Sequence, residues 1–353
     1  MQKRGWMVLG VGLLVLGCGE ALAIEGDAGS PGDAGAIEEP VADAAPPGII
    51  PLPEPPPVEP PDRPPVPEAP FTCEGKTGAA GDHVIVVPHD GLLRRVLLHV
   101  PESYDPAAGT TLVLNFHGFS SADWQQSLLT HMNRTSDERG FLVAYPQGVA
   151  TSWNAGDCCG TAWVDGVDDV GFVRAMLDRL ERDYCVDPRR VHATGMSNGG
   201  FISHRLACEL EDRIASIAPV AGVLGVDACR PSRPVPVFHF HGTEDLLVPY
   251  EGGTPVVHEL GAGVVFRSVS ETMEHWRVVN GCDATPIETL HEGDVTCVAW
   301  QGCAASTRLC TVDGGGHTWP GGMPIPFLGH TTDDFDATDA MIDFFDAHPM
   351  PAR

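Results

Sequence analysis

The chain has 353 residues, enough for one large domain with extra segments or for two small ones, and its 43% hydrophobic content supplies a sizeable core. Its formal net charge of −27 at pH 7 argues against nucleic acid or an anionic membrane surface as a direct partner, because phosphates would repel it.

Residues 1–18 read MQKRGWMVLGVGLLVLGC. Lys3 and Arg4 form a short basic start, and an apolar stretch runs from Trp6 to Leu16. A bilayer-spanning helix needs roughly 20 apolar residues, so this layout reads as a secretory signal. Its end, Val15-Leu16-Gly17-Cys18, resembles the lipobox of bacterial lipoproteins, in which the cysteine is diacylated and becomes the new N-terminus. The resemblance implies lipid on Cys18; ordinary cleavage near Ala21 or Ala23 is the alternative. Residues 24–70 hold 15 of the 32 prolines, with Gly-Asp-Ala runs and hardly an aromatic side chain. Such a composition cannot bury enough apolar surface to offset chain entropy. The expected organisation is a signal peptide over 1–18, a disordered acidic proline-rich linker over 19–70 and a catalytic domain over 71–353. The protein is then exported, extracellular or in the cell envelope, and meets the membrane only through its anchor.

Beyond Cys18 there are ten cysteines: Cys73, Cys158, Cys159, Cys185, Cys208, Cys229, Cys282, Cys297, Cys303 and Cys310. An even number in an exported chain points to disulfides, and the absence of any C-x-x-C pair argues against zinc. The pairing is not readable, apart from one expected bridge between Cys282 and the cluster Cys297, Cys303, Cys310.

From residue 71 onward strand-like runs alternate with helical patterns. Strands are predicted at 83–87, 94–100, 111–116, 141–145, 190–195, 214–220, 235–240 and 308–312. Helices are predicted near 121–138, 168–183, 198–210, 268–279 and 336–347. The first two strands follow each other directly, as in an antiparallel hairpin. The later alternation implies an α/β fold whose mostly parallel central sheet carries helices on both faces. Functional loops in such sheets lie at the carboxyl ends of the strands.

Four motifs fall at those ends. Asn115-Phe116-His117-Gly118-Phe119 closes an apolar strand; the backbone N–H groups of Phe119 and Asn198 are the expected oxyanion-hole donors, with Gly118 allowing close approach and His117 buttressing the loop. Gly195-Met196-Ser197-Asn198-Gly199 sits between a strand and a helix, as a G-x-S-x-G nucleophile elbow should. Side chains two positions before and after the serine would collide in that turn, hence glycine at both. His241-Gly242-Thr243-Glu244-Asp245 ends another strand. Asp245 is preferred over Glu244 as the acid that orients a catalytic imidazole, because the following LLVP run should pack inward; His241 reads as a supporting residue. Gly314-Gly315-Gly316-His317 follows a strand and supplies a base on a glycine-rich loop. The chain order Ser197, Asp245, His317 is that of the α/β-hydrolase fold. Trp153 and Trp319, with Phe327 and Leu328, are candidates for lining an apolar acyl pocket, with core or lid packing the alternative for each.

Together with SWNAGDCCG (152–160), DDVGF (168–172), VDPRRVHATGMSNGG (186–200), HGTEDLLVPY (241–250) and GGGHTWPGG (314–322), these residues resemble the polyhydroxybutyrate depolymerase / feruloyl esterase-like family of secreted esterases. The resemblance runs from about residue 73 to 347. It implies Ser197, Asp245 and His317 as the triad. It also implies hydrolysis of feruloyl or acetyl esters of plant polysaccharide, or of polyhydroxybutyrate-type polyesters, through an acyl-enzyme. Such chemistry requires neither metal nor organic cofactor. The alternatives are a surface-tethered binding lipoprotein on a degenerate hydrolase fold, and a serine peptidase or acyltransferase of the same fold.

Overall fold

A computed structural model describes residues 71–254 and 264–351. The expected signal segment, Cys18 and the proline-rich linker lie outside the described residues. All described residues fall in the compact unit Pro67–Arg353.

The first strands of the described residues are β1 (Gly81–His89) and β2 (Leu92–Val100), the expected antiparallel hairpin. Asp90 and Gly91 make its two-residue turn, with φ of 48° and 73°. Both values lie in the left-handed region, whose twist suits a tight hairpin and favours Asp-Gly. The core strands follow: β3 (Thr110–Phe116), β4 (Leu142–Pro146), β5 (Val186–Met196), β6 (Ser216–Val220), β7 (Val237–Gly242), β8 (Ile287–Glu292), β9 (Val295–Ala299) and β10 (Thr307–Val312). They form one ten-stranded sheet in the order β1-β2-β4-β3-β5-β6-β7-β10-β9-β8. The run from β4 to β10 through β3, β5, β6 and β7 is parallel, and the outer strands on both sides pair antiparallel.

The helices are α1 (Asp123–Thr130), α2 (Met132–Arg139), α3 (Gly160–Val164), α4 (Asp169–Asp183), α5 (Asn198–Glu209), α6 (Val269–Val279) and α7 (Ala337–Ala347). Successive side chains of β3 divide between two cores, as strand geometry requires. Leu112, Leu114 and Phe116 pack with Phe172 and Leu177 of α4, Leu206 of α5 and Trp276 of α6. Val113 packs with Met132 of α2 and Met341, Phe344 and Phe345 of α7. The sheet is thus buried on both faces, which is why its central strands read as continuous apolar runs. Each fully buried Leu or Phe side chain is worth about 1.5–3 kcal/mol. Helix starts are set locally. Asp168 Oδ1 accepts from Gly171 N at 2.9 Å to cap α4, and Ser268 with Glu271 forms a reciprocal capping box on α6. This is the α/β-hydrolase arrangement. No helix among the described residues is long and apolar enough to cross a membrane.

Two local expectations change. The helix expected over 121–138 is two helices, α1 and α2, with His131 at φ 52° between them. The carbonyls that would continue α1 are taken by distant groups, Leu129 O by Met323 N (2.9 Å) and Thr130 O by Thr338 Oγ1 (2.9 Å). The β8–β9 hairpin has no counterpart in the predicted elements, because β8 is largely exposed and lacks an apolar run. Among the described residues, five disulfides join Cys73–Cys185, Cys158–Cys159, Cys208–Cys229, Cys282–Cys303 and Cys297–Cys310. Cys282–Cys303 is the bridge expected in that cluster.

Candidate active site

The carboxyl ends of β3, β5, β7 and β10 carry the four motifs. After β5 the backbone reverses at Ser197, whose φ of 58° is strained for a residue with a Cβ. The flanking glycines have the expected steric reason. A Cβ on Gly195 would lie 2.5 Å from Phe116 O and 2.7 Å from Gly199 O, and one on Gly199 would collide with Phe116 O. Gly118 is less constrained than expected. A Cβ there would sit 3.4 Å from Met196 O and from Ser197 Cβ, an ordinary contact beside the serine. α5 starts immediately after Ser197, so its positive end faces the hydroxyl.

The side chains expected as acid and base meet. His317 Nδ1 donates to Asp245 Oδ2 at 2.7 Å, and both side chains are buried. The other carboxylate oxygen accepts from Leu247 N (2.9 Å) and Val248 N (2.8 Å). Burial opposes the charge on Asp245, but the adjacent His317 and hydrogen bonds from His241 and His317 outweigh it, and the carboxyl stays well below its ordinary range. Glu244, the rejected acid, is exposed. The expected inward packing of LLVP is only partial: Val248 is buried and Leu246 faces solvent, so main-chain donors rather than apolar contacts fix the acid. His317 reaches Asp245 because its loop is strapped to residues 328–330, with His317 N on Leu328 O (2.7 Å) and Gly316 N on His330 O (2.9 Å). A Cβ on Gly316 would lie 2.6 Å from Gly329 Cα, so glycine is required for that approach. Among the described residues, Ser197 Oγ has no hydrogen-bond partner, and the contact formed within the set of three is the one between His317 and Asp245.

The oxyanion loop is braced as a unit. Among the described residues, the N–H groups of Phe119 and Asn198 donate to no protein acceptor. His117 Nε2 accepts from Gly148 N at 2.9 Å, so Nδ1 carries the proton and donates to Gly118 O at 2.7 Å. Burial, reinforced by the charge of Arg94 and resisted by the bond to Gly118, pushes its pKa down to about 4. A neutral imidazole with both nitrogens engaged is a buttress, as expected, and not a base.

Trp153 and Trp319 do not line an open pocket. Both are fully buried, and their indole N–H groups are used, Trp153 on His117 O (2.9 Å) and Trp319 on Thr338 Oγ1 (3.0 Å). A side chain enclosed this way presents no face to a ligand; each braces a loop instead. Phe327 is on the surface, and Leu328 contributes the carbonyl that holds His317.

Several supporting side-chain contacts go beyond the roles expected from the sequence. Asn198 does more than offer an N–H: its side chain accepts from Trp153 N (2.7 Å) and donates to Trp153 O (3.0 Å). Arg94 and Asp169 form a buried ion pair at 2.8 Å, and Asp169 Oδ2 also accepts from Asn154 N at 2.7 Å. The acid doublet Asp168-Asp169 at a helix start is the one signal in the sequence: one acid caps α4, and the second is left to pair elsewhere.

No family model matches the chain. Feruloyl esterase B of Piromyces equi is 32% identical over 237 residues, covering 64% of this chain and 42% of its own. This chain therefore spans less than half the length of that relative. The putative esterase NocK of Nocardia uniformis subsp. tsuyamanensis is 32% identical over 260 residues, covering 67% of this chain and 74% of its own. The solved acetyl xylan esterase from Aspergillus awamori superposes with a TM-score of 0.51 at 16% identity, over 72% of this chain and 94% of that one, a likeness of fold. With its elbow, its sheet order and these sequence matches, the chain belongs to the feruloyl-esterase-like, carbohydrate-esterase branch of the α/β-hydrolase superfamily.

Proposed function

We propose that this protein is a serine carboxylic ester hydrolase that cleaves feruloyl or acetyl esters carried on plant polysaccharide. Ser197 is the nucleophile, His317 the base and Asp245 the acid that holds the base. The observation that carries this reading is the buried 2.7 Å contact between His317 Nδ1 and Asp245 Oδ2, at the sheet edge where the elbow presents Ser197. That contact fixes the tautomer, leaving His317 Nε2 free to take a proton.

In the proposed reaction Ser197 Oγ adds to the ester carbonyl as His317 Nε2 accepts its proton. The N–H groups of Phe119 and Asn198 stabilise the oxyanion. The imidazolium protonates the departing alcohol, and the acyl group stays on Ser197. Water, deprotonated by His317, then attacks the acyl-enzyme and releases the acid and the serine. The substrate class is taken from similar proteins, feruloyl esterase B and the bifunctional acetylxylan esterase/xylanase XynS20E of Neocallimastix patriciarum. Export through the signal-like segment, with lipid on Cys18, would bring the enzyme to polymers that cannot enter a cell.

The test is a panel of methyl ferulate, acetylated xylan, hydroxybutyrate oligomers and p-nitrophenyl acetate, assayed on wild type and Ser197→Ala. Turnover of the first two, lost by on the order of 10⁶ in the variant, is the expected result. Hydroxybutyrate cleavage alone would move the substrate to polyesters, and full activity in Ser197→Ala would remove the nucleophile. Radioactive fatty acid fed to expressing cells should label wild type and not Cys18→Ser.

A further inference from the structure

Behind Asp245 lies a row of three fully buried imidazoles that the proposed reaction does not use. His239 and His241 are two apart on β7 and so share a face of the strand, and His204 projects from α5. The rings of His204 and His239 stack with centroids 5.5 Å apart, those of His239 and His241 with centroids 5.3 Å apart. Trp276 Nε1 donates to His204 Nδ1 at 3.0 Å at the far end of the row.

The partners decide the tautomers. His241 Nε2 faces two acceptors, Val248 O at 2.8 Å and Asp245 Oδ2 at 3.4 Å, so it carries the proton. His241 Nδ1 is therefore an acceptor, and it receives a proton from His239 Nε2 at 3.1 Å. His239 Nδ1 is left as a buried lone pair without a partner among the described residues. A row of apolar side chains would fill the same space without that cost, so the imidazoles serve a purpose other than packing.

We propose that His241, locked in its Nε2–H tautomer by His239, is a positioning residue for the acid Asp245. Its N–H pins the carbonyl that ends the Asp245–Val248 turn and faces the same carboxylate oxygen that receives His317. The proposal rests on the assignment of Ser197, His317 and Asp245 above. The titratable groups facing His241 are Asp245 from its own turn, His239 from β7, His204 from α5 and Tyr250, whose ring meets it edge-on at 5.8 Å. Those facing Asp245 are His317 and His241. A second proton on His241 would have to sit on Nδ1, against the N–H of His239. Burial holds its neighbour His239 well below its ordinary range and pushes His204 down to about 3.

The test is steady-state hydrolysis of p-nitrophenyl acetate across pH by the full chain, with Ser197→Ala, His241→Phe, His241→Gln and His239→Leu. In His241→Phe, kcat should fall by about tenfold to a hundredfold, the scale of a lost charge-assisted hydrogen bond, with KM little changed. Asp245 without that donor becomes more basic and holds the His317 imidazolium more strongly. The acid limb of kcat/KM should therefore move to higher pH. His241→Gln places an amide N–H where Nε2 was and should restore both kcat and the limb. His239→Leu frees His241 to change tautomer and should shift the limb the same way. A folded His241→Phe protein with wild-type kcat and pH profile overturns the proposal, as does a His241→Gln protein no better than His241→Phe. If His241→Phe does not fold, a wild-type kcat and pH profile in His239→Leu overturns it. Ser197→Ala separates the two levels: activity there sinks the triad itself, whereas an inactive Ser197→Ala beside an unimpaired His241→Phe sinks only the positioning role.

Discussion

Asn198, the residue after the proposed nucleophile Ser197, holds both main-chain groups of Trp153, accepting from its N–H at 2.7 Å and donating to its carbonyl at 3.0 Å. Trp153 in turn donates to His117 O, on the loop that carries the proposed oxyanion donor Phe119. One side chain thereby couples the elbow, the 152–160 loop and the oxyanion loop. Asn198→Ala keeps the main-chain donor but leaves the buried Trp153 N–H unpaired and Trp153 O held by Cys159 N alone, at 3.2 Å. It should cost on the order of 2–3 kcal/mol in urea unfolding and reduce kcat by about tenfold. A stable variant of unchanged kcat would show that the loops hold without it.

The buried pair Arg94–Asp169 anchors the same loop through Asn154 N. Burial raises the Asp169 carboxyl above its ordinary range even with Arg94 beside it. Arg94→Met removes the cation and leaves the acid enclosed, so unfolding free energy should fall by about 3–5 kcal/mol. The double variant Arg94→Met with Asp169→Asn should recover part of that loss, because the uncompensated charge is gone. Equal losses in the single and double variants would mean that the pair acts by packing alone.

Asp245→Asn tests the acid without disturbing its volume. An amide can donate where the carboxylate accepts, and would hold His317 in the wrong tautomer. By analogy with the protease triads, kcat should drop by about 10⁴ while KM changes little. A loss under tenfold would return the choice of acid to Glu244.

Stability should fall as the solution turns mildly acidic. Burial pushes His117 down to about 4 and His204 to about 3, and lowers His192 and His239 well below their ordinary value. The unfolded chain protonates each near 6.5. Between about pH 6.5 and 4 the unfolded state therefore binds protons that the folded state refuses. Each histidine removes about 1.4 kcal/mol of stability per pH unit as pH falls through that window. Urea unfolding at several values from pH 7 to 4 reads the slope. His204→Gln, which keeps an acceptor for Trp276, should flatten it by one histidine's share; an unchanged slope would mean that His204 is protonated in the folded protein.

Local sterics and periodicity were legible in the sequence. Gly195 and Gly199 announce a turn that only glycine can flank, because Phe116 O and the elbow's own backbone occupy the Cβ positions. The apolar runs of β3 to β7 announced a sheet buried on both faces, and the order Ser197, Asp245, His317 announced its loops. What depends on one side chain facing another across the fold was decided only by the tertiary structure. Trp153 and Trp319 carry the same indole whether they line a pocket or brace a loop, and the acceptors His117 O and Thr338 Oγ1 settle which. His239 and His241 alternate with phenylalanine on an ordinary strand; it takes His204 from α5 and the Asp245 turn to make them a polar row. Sequence patterns encode what a residue excludes or repeats along its own segment, whereas burial and hydrogen-bond partners belong to the packed whole.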